Sequence, residues 1–518
     1  MAVSERADVL VIGGGATGAG VAWDAALRGY DVVLVDRADL AEGTSGRFHG
    51  LLHSGGRYLV KDRLAAEECV VENALLRNLI PHCIEDTGGL FVSLPDDDPA
   101  YPDQFLEAAR SVGMPATEIA SGEALRREPR LNPATVRAID VQDASIDAWQ
   151  TVWTFAGGAR EHGARVLTYH RVIDLHRDGD AVTGARVRNE LTGSESDIEA
   201  GFVLNASGPW AAQILHMAGI EDVGVVPGKG IMIAMNHRLV QTVVNRLALP
   251  GDGDIIVPIQ TVSVIGTTDI HATDPDEIPV TQAEVDQMLD DGERLVPGFR
   301  EARALRVWAG ARPLFQDARA GEVKDTRDVS RTHAVVDHQA RDGVTGLLTM
   351  SGGKLTTLRL MAQDLVDAMV AQLGHDRPCR THEVAPPGNG EALRLGGRLV
   401  KREETLLDEQ LICECELIGR GRLEAELRDK QTTILDDIRR TLRLGMGPCQ
   451  GGFCMYRATG ILHEVEQLDG AQAAESLRDF LEERWKGVWP ILYGDQLRQA
   501  RLDDWIFQGL LDVEHLDA

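Results

Sequence analysis

The first forty residues alternate between apolar runs, a glycine-rich break and a helical pattern. Asp8–Ile12 is an apolar run of strand length, Gly13 to Gly20 is a glycine turn, and Val21 to Arg28 repeats apolar positions at helical spacing. Asp31–Val35 is a second apolar run. This order predicts one βαβ unit. Further along, Ala164–Val172, Ala185–Val187 and Ala200–Asn205 read as strands. A β-rich stretch from about Val223 to Asp269 contains Ile255–Pro258 and Val262–Gly266. Leu347–Met350 reads as a strand leading into a helix over Leu355–Leu373. A polar, Pro/Gly-containing stretch from Asp376 to about Gly397 reads as a linker, and the segment from Glu464 onward is helical by pattern. The mixed order predicts two interleaved domains followed by a small third one.

Length agrees, because 518 residues exceed what one compact core holds. No apolar run approaches the roughly 20 residues that span a bilayer. The polar Met1 to Asp8 does not resemble a signal peptide, so a cytoplasmic location is expected. The formal charge of −28 excludes a basic nucleic-acid footprint. Only seven of the 53 basic residues are lysine. Strong acidity with little lysine favours a halophile, whose surface carboxylates stay hydrated and whose self-repulsion is screened by salt, over an acidic bacterial protein from a GC-rich genome.

The break after the first strand contains Gly13-x-Gly15-x-x-Gly18. The first glycine permits a tight turn, the second lets backbone approach a pyrophosphate, and the third allows close helix–strand packing. The following helix offers its free N–H groups to the phosphates. Asp36 ends the second strand, placed to accept hydrogen bonds from ribose hydroxyls. This is a Rossmann-type site for FAD or NAD. Its position at the start of a discontinuous nucleotide domain favours FAD.

The chain has seven cysteines. Cys413-x-Cys415, then 33 residues, then Cys449-x4-Cys454 forms a late cluster among glycine-rich turns. Four thiolates in this pattern suit a [2Fe–2S] cluster or a tetrahedral zinc. Cys69, Cys83 and Cys379 lack such spacing and read as ordinary thiols.

Two more features carry chemistry. The loop GTSGRFHGLLHSGGRYLV, Gly43 to Val60, is rich in Gly, Ser, Thr and His and can wrap a flavin. Within it His53 has a suitable ordinary pKa for a general base. Lys354 follows two glycines at the end of a strand, placed to hold a substrate oxygen or the flavin's pyrimidine edge.

These pieces, with GGGATGAGVAWDAALRG, NASGPW at Asn205–Trp210, PGKG at Pro227–Gly230, IGTTD ending at Asp269, GARPL at Gly310–Leu314 and SGGKLTTLR at Ser351–Arg359, resemble the FAD-dependent glycerol-3-phosphate dehydrogenases. The cysteine region resembles the [2Fe–2S] domain of bacterioferritin-associated ferredoxin, which is appended to the A subunit of the anaerobic glycerol-3-phosphate dehydrogenase. The tail GVWPILYGDQLRQ also resembles that of the same polypeptide.

The resemblance implies an α/β fold: a Rossmann-type FAD-binding domain interleaved with a β-rich substrate domain of the D-amino-acid oxidase type, plus a small helical iron–sulfur domain. The implied boundaries are 1–80, 140–220 and 300–373 for FAD, and 81–139 and 221–299 for substrate. A linker over 374–407, the cluster domain over 408–460 and a helical segment over 461–518 follow. Arg57, Tyr58, Arg312, Arg331 and Lys354 are implied around the substrate, with Arg312 and Arg331 on its phosphate. Gly13, Gly15, Gly18, Asp36, Thr44, Ser45, His53, Val172, Ala206, Gly310, Gly353, Leu355 and Thr356 are implied at the cofactor. Aerobic relatives made of one polypeptide carry a histidine after PGKG; here Ile231-Met232 follow, so that base does not transfer.

The implied reaction oxidises sn-glycerol 3-phosphate to dihydroxyacetone phosphate by hydride transfer to flavin N5. Electrons then pass through the cluster to a flavin-containing B subunit, from there to a membrane-associated iron–sulfur C subunit, and on to a quinone. The chain would sit on the inner face of the cell membrane through those partners. The alternatives are an oxidase of another secondary alcohol or amine, and a non-catalytic redox-partner protein.

Overall fold

The structure, a computed structural model, describes residues 4–221, 223–317, 331–388, 395–405, 409–430, 432–510 and 512–515. It contains two large sheets.

The first sheet has eight strands. Its parallel centre runs Arg165–Leu167, Val32–Val35, Ser4–Ile12, Glu195–Asn205 and Leu347–Gly352. Val9 pairs with Val32 and Ile12 with Val35, so Gly13 and Asp36 leave the sheet side by side. Val9 to Val11 and Val32 to Val35 are fully buried. Burial on both faces is why these strands read as unbroken apolar runs. Helices Ala16–Leu27, Ala148–Glu161 and Leu358–Leu373 cover one face through Trp23, Phe155 and Leu365. The hairpin His170–Asp178/Ala181–Asn189 and helix Ala211–Met217 cover the other.

The expected strand over Ala164–Val172 is broken in two. Tyr169 adopts a left-handed φ of 57°, separating Arg165–Leu167 from His170–Asp178. The cause is a pair of hydrogen bonds to the loop beyond Asp36: the Tyr169 amide donates to the Ala38 carbonyl (3.0 Å) and that of His170 to Asp36 (2.6 Å).

The second sheet has nine strands. Val223–Met235 and Ala304–Asp317 form its longest antiparallel pair, from Val223↔Asp317 to Met235↔Ala304. The sequence reading groups 300–373 with the nucleotide-binding part; in the fold Ala304–Asp317 belongs to this second sheet. The hairpin Ile255–Ile259/Val262–Gly266 lies next to this pair, with Val262–Gly266 bonded to Val223–Met235. Gly266 packs against His49 and Ile259 against Gly50. The turn, Gln260-Thr261, meets the cysteine-bearing region: Gly447 lies between Thr261 and Cys415.

That region has its own core, built on Ile412, Ile438, Leu462 and Phe480. It docks on the body through buried charge. Glu416, fully buried, accepts from Arg443 Nε (3.2 Å), and Arg443 Nη1 reaches Asp147 (3.3 Å), the N-cap of helix Ala148–Glu161. A second contact joins Lys430 Nζ to Asp39 (3.0 Å) and the Tyr169 hydroxyl to Asp437 (2.6 Å). Within the stretch read as a linker, Leu395–Thr405 is a helix, and its Arg398 donates to Gln260 and to the Glu416 carbonyl.

Candidate active site

A cavity of about 980 Å³ opens where the parallel strands of the first sheet end, at Ile12, Val35, Ala206 and Gly352. Ligands of open α/β sheets bind at the carboxyl ends of the strands. Its size is at the upper end for a small-molecule site.

The glycine loop forms one end. Gly13 has φ +108°, and a Cβ there would lie 2.6 Å from the Ala206 carbonyl oxygen. A Cβ on Gly18 would overlap the Gly13 carbonyl, so the helix packs directly on the turn. The first helical turn carries no acid, and the Ala16 amide donates to Ser45 Oγ (2.8 Å). Asp36 accepts from the Gly14 amide (2.6 Å) and the Ala38 amide (2.9 Å). Burial pushes its carboxyl up to about 6 despite these bonds. Arg37 lies over the Trp210 ring at 4.3 Å, and both line the cavity beside Asp36.

The loop Gly43 to Val60 forms one wall. Thr44 Oγ1 donates to the Ala311 carbonyl (2.5 Å), and Gly310 admits the Arg47 carbonyl where any Cβ would collide. Two imidazoles follow. His49 Nδ1 accepts from the Leu51 amide (3.2 Å), and burial, then Arg57 and Arg312, push the ring down to about 3. His53 is lowered as well, by burial first and then by His49. Both rings are neutral at physiological pH.

The opposite end is cationic. Asp269 bridges two arginines, accepting from Arg331 Nη2 (2.7 Å) and Arg312 Nη1 (3.1 Å). Arg312 also donates to the carbonyls of Thr268 (2.9 Å) and Gly228 (3.3 Å), and burial pushes it down to about 10. Arg57 pairs with Asp254 (2.6 Å). Arg331 Nη1 is buried with no hydrogen-bond partner among the described residues. Lys354 emerges after Gly352 and Gly353, both with left-handed φ, and its amine lies 5.1 Å from the centre of the Tyr58 ring. It donates to the Arg331 carbonyl (2.9 Å) and pairs with Glu68 (3.3 Å).

The residues implied at the cofactor and the substrate therefore converge on one cavity, with two exceptions. Gly18 lies behind the turn as packing. Thr356 sits behind His53 and accepts its backbone amide (3.1 Å). Sequence reasoning missed His49, Glu68 and the bridging role of Asp269. Only the spacing HGLLH around His49 and His53 signalled any of them.

The cradle fits FAD. Its glycines exclude side chains where a pyrophosphate would approach, and Asp36 stands beside them as an acceptor for a ribose. The two-sided cavity leaves the His53, Tyr58 and Lys354 end for the isoalloxazine and substrate.

The four late cysteines form two pairs. Cys415 and Cys449 sulfurs are 3.9 Å apart, and Cys413 and Cys454 are hydrogen-bond partners. Among the described residues no three of these sulfurs lie within 4.8 Å of one another. The Cys449 thiol is pushed down to about 6, first by a hydrogen bond from Cys415 and then by the amides of Gly451 to Phe453.

Residues 8–368 match the FAD dependent oxidoreductase family. The chain is 42% identical, over 99% of both chains, to the A subunit of the anaerobic glycerol-3-phosphate dehydrogenase of Escherichia coli. It is 40% identical to the A1 subunit of the same enzyme in Haloferax volcanii, over 95% of this chain and 89% of that one. The glycerol-3-phosphate dehydrogenase of Bacillus halodurans, solved with FAD, superposes with a TM-score of 0.66 at 20% identity, covering 94% and 96% of the two chains, and supports the fold. The chain belongs to the FAD dependent oxidoreductases and, within them, to the family of the anaerobic glycerol-3-phosphate dehydrogenase A subunits.

Proposed function

We propose that this chain oxidises sn-glycerol 3-phosphate to dihydroxyacetone phosphate and hands the electrons on through a [2Fe–2S] cluster. The carrying observation is the cationic end of the cavity. Arg312 and Arg331, locked together by Asp269, set two guanidinium charges side by side, a charge pattern that suits a phosphate dianion. Arg331 Nη1 is the buried donor that a phosphate oxygen would satisfy. Lys354 holds the C2 oxygen, and the Tyr58 ring beside it shields it from water. Arg57, fixed by Asp254, closes the other side. FAD, when bound, supplies the hydride acceptor.

The paired sulfurs support the cluster over zinc. A tetrahedral zinc with bonds of about 2.3 Å brings all four sulfurs to about 3.8 Å from each other. A [2Fe–2S] cluster would be held by Cys415 with Cys449 and by Cys413 with Cys454, as two thiolate pairs, and would supply one-electron transfer. The amides of Gly451 to Phe453 would stabilise the charge on Cys449.

Partner polypeptides are part of this reading, since the relatives are named as single subunits of an enzyme. Among the exposed large apolar side chains of the described residues, all the aromatic ones lie at Phe453, Tyr456, Trp485, Trp489 and Trp505, on the cysteine-bearing segment. Exposed Trp and Tyr are the residues protein partners most often cover. No described helix is long and apolar enough to cross a membrane, so the reading places quinone and membrane contact in the partners.

Anaerobic titration of the purified protein with sn-glycerol 3-phosphate, reading flavin and cluster absorbance together, tests this. Bleaching of both bands by glycerol 3-phosphate and of neither by glycerol is expected. A flavin that the phosphate ester leaves oxidised overturns it.

A further inference from the structure

A row of ionisable side chains leads from Lys354 in the cavity to the surface, and the reading above gives its outer members no role. Lys354, whose side chain is 6% exposed, pairs with Glu68 Oε2 at 3.3 Å. The other carboxylate oxygen of Glu68 lies 4.0 Å from His333 Nδ1. His333 is 7% exposed, and its Nε2 bonds Asp364 Oδ2 at 2.7 Å. Asp364 is 40% exposed, on helix Leu358–Leu373. The buried Nδ1 of His333 has no hydrogen-bond partner among the described residues, which leaves it open to a proton from Glu68. Tyr58, Cys69 and Arg331 face the inner end, and Glu72 faces Asp364.

We propose that Glu68, His333 and Asp364 form the proton exit of the site. The inference rests on the dehydrogenation reading above. Oxidation of a secondary alcohol breaks two bonds. The C2 hydrogen leaves with its electron pair as hydride to the flavin, the carbonyl forms, and the hydroxyl proton remains in a pocket lined with cations. Lys354 takes that proton as it passes one of its own to Glu68, and so remains an ammonium. Glu68 closes the 4.0 Å gap and releases the proton to His333 Nδ1 while the Nε2 proton moves to Asp364 and then to water, and a flip of the His333 ring restores its starting tautomer. Every group returns to its starting charge, and one proton leaves per substrate oxidised. Glu68, His333 and Asp364 touch no reacting atom; they are positioning residues that act through Lys354.

The experiment is stopped-flow flavin reduction by sn-glycerol 3-phosphate in the FAD-loaded full chain, in H2O and D2O, from pH 6 to 9. Glu68→Gln keeps the shape of the side chain and removes its proton affinity. The expected result is a reduction rate lower on the order of tenfold to a hundredfold, the scale of lost acid–base assistance. Substrate affinity, FAD content and melting temperature should stay near wild type, with a larger solvent isotope effect. His333→Ala should slow reduction and be rescued by added imidazole, and Asp364→Asn should shift the pH profile. Glu68→Gln reducing flavin at the wild-type rate would falsify the relay. So would slow variants that lose affinity in equal measure and gain neither isotope effect nor rescue. Wild-type flavin left oxidised would instead sink the dehydrogenation reading itself.

Discussion

Asp36 carries a cost that its ligand can relieve. Burial raises its carboxyl to about 6, so below that pH the folded apoprotein holds a proton that the free side chain would have lost. Ribose hydroxyls favour the ionised form, so FAD binding releases this proton when the pH is below about 6. Affinity for FAD should therefore weaken as pH falls from 6 to 5, by up to about tenfold per unit for one linked proton. Asp36→Asn should weaken FAD binding by about tenfold to a hundredfold, the loss of charge-assisted hydrogen bonds, and flatten this dependence. Fluorescence titration of the apoprotein with FAD between pH 5 and 8 measures both. At this scale Gly13, Gly15 and Asp36 were legible because their spacing is local and their chemistry specific. Glu68 and Asp269 were not, because an acid reveals its cation only across long stretches of chain: 286 residues separate Glu68 from Lys354.

Among the elements, the βαβ unit was readable because fully buried parallel strands and a small-residue helix leave plain marks in hydropathy. Helix Arg63–Leu79 was not. Its buried stripe includes Glu72, paired with Arg359 (3.0 Å), and Asn73, which donates to the His53 carbonyl (2.9 Å). Polar residues that find partners inside the fold erase the pattern that reports burial. The same element logic makes Gly18 the most demanding position of the glycine loop. A methyl group there forces the helix off the Gly13 carbonyl. Gly18→Ala should yield protein without bound flavin and about 1–3 kcal/mol less stable, the usual penalty for overpacking. Absorbance at the flavin maximum and chemical denaturation read the two effects, and flavin-replete Gly18→Ala protein would contradict the packing argument.

For the whole molecule, the cysteine-bearing region docks through an apolar contact at Ile491 and through buried charge. Arg443→Ala leaves the buried Glu416 with Arg398, 3.9 Å away, as its remaining cation among the described residues and leaves Asp147 without its cross-region bond; breaking a buried pair in this way costs up to about 3–5 kcal/mol. We expect early cleavage between the body and the cysteine-bearing region in limited proteolysis, with flavin retained. A digestion pattern like that of wild type would show that other contacts suffice. A net charge of −28 should also make stability salt-dependent. The melting temperature is expected to rise as KCl goes from 0.1 M to 2 M, with most of the gain at the low end where screening changes fastest. A flat curve would count against the reading of the acidic surface as an adaptation to salt.

The hairpin Ile255–Ile259/Val262–Gly266 has a kinetic consequence. Its open end, at Gly266, rests on His49 at the cavity, and its turn rests on Gly447 beside Cys415. If the cysteines hold the proposed cluster, the hairpin fixes its spacing from the flavin cavity like a ruler, and no swinging motion has to bring the two together. Cluster reduction after flavin reduction should then be indifferent to solvent viscosity. Sucrose that slows a tethered shuttle in proportion to its drag should leave this step unchanged.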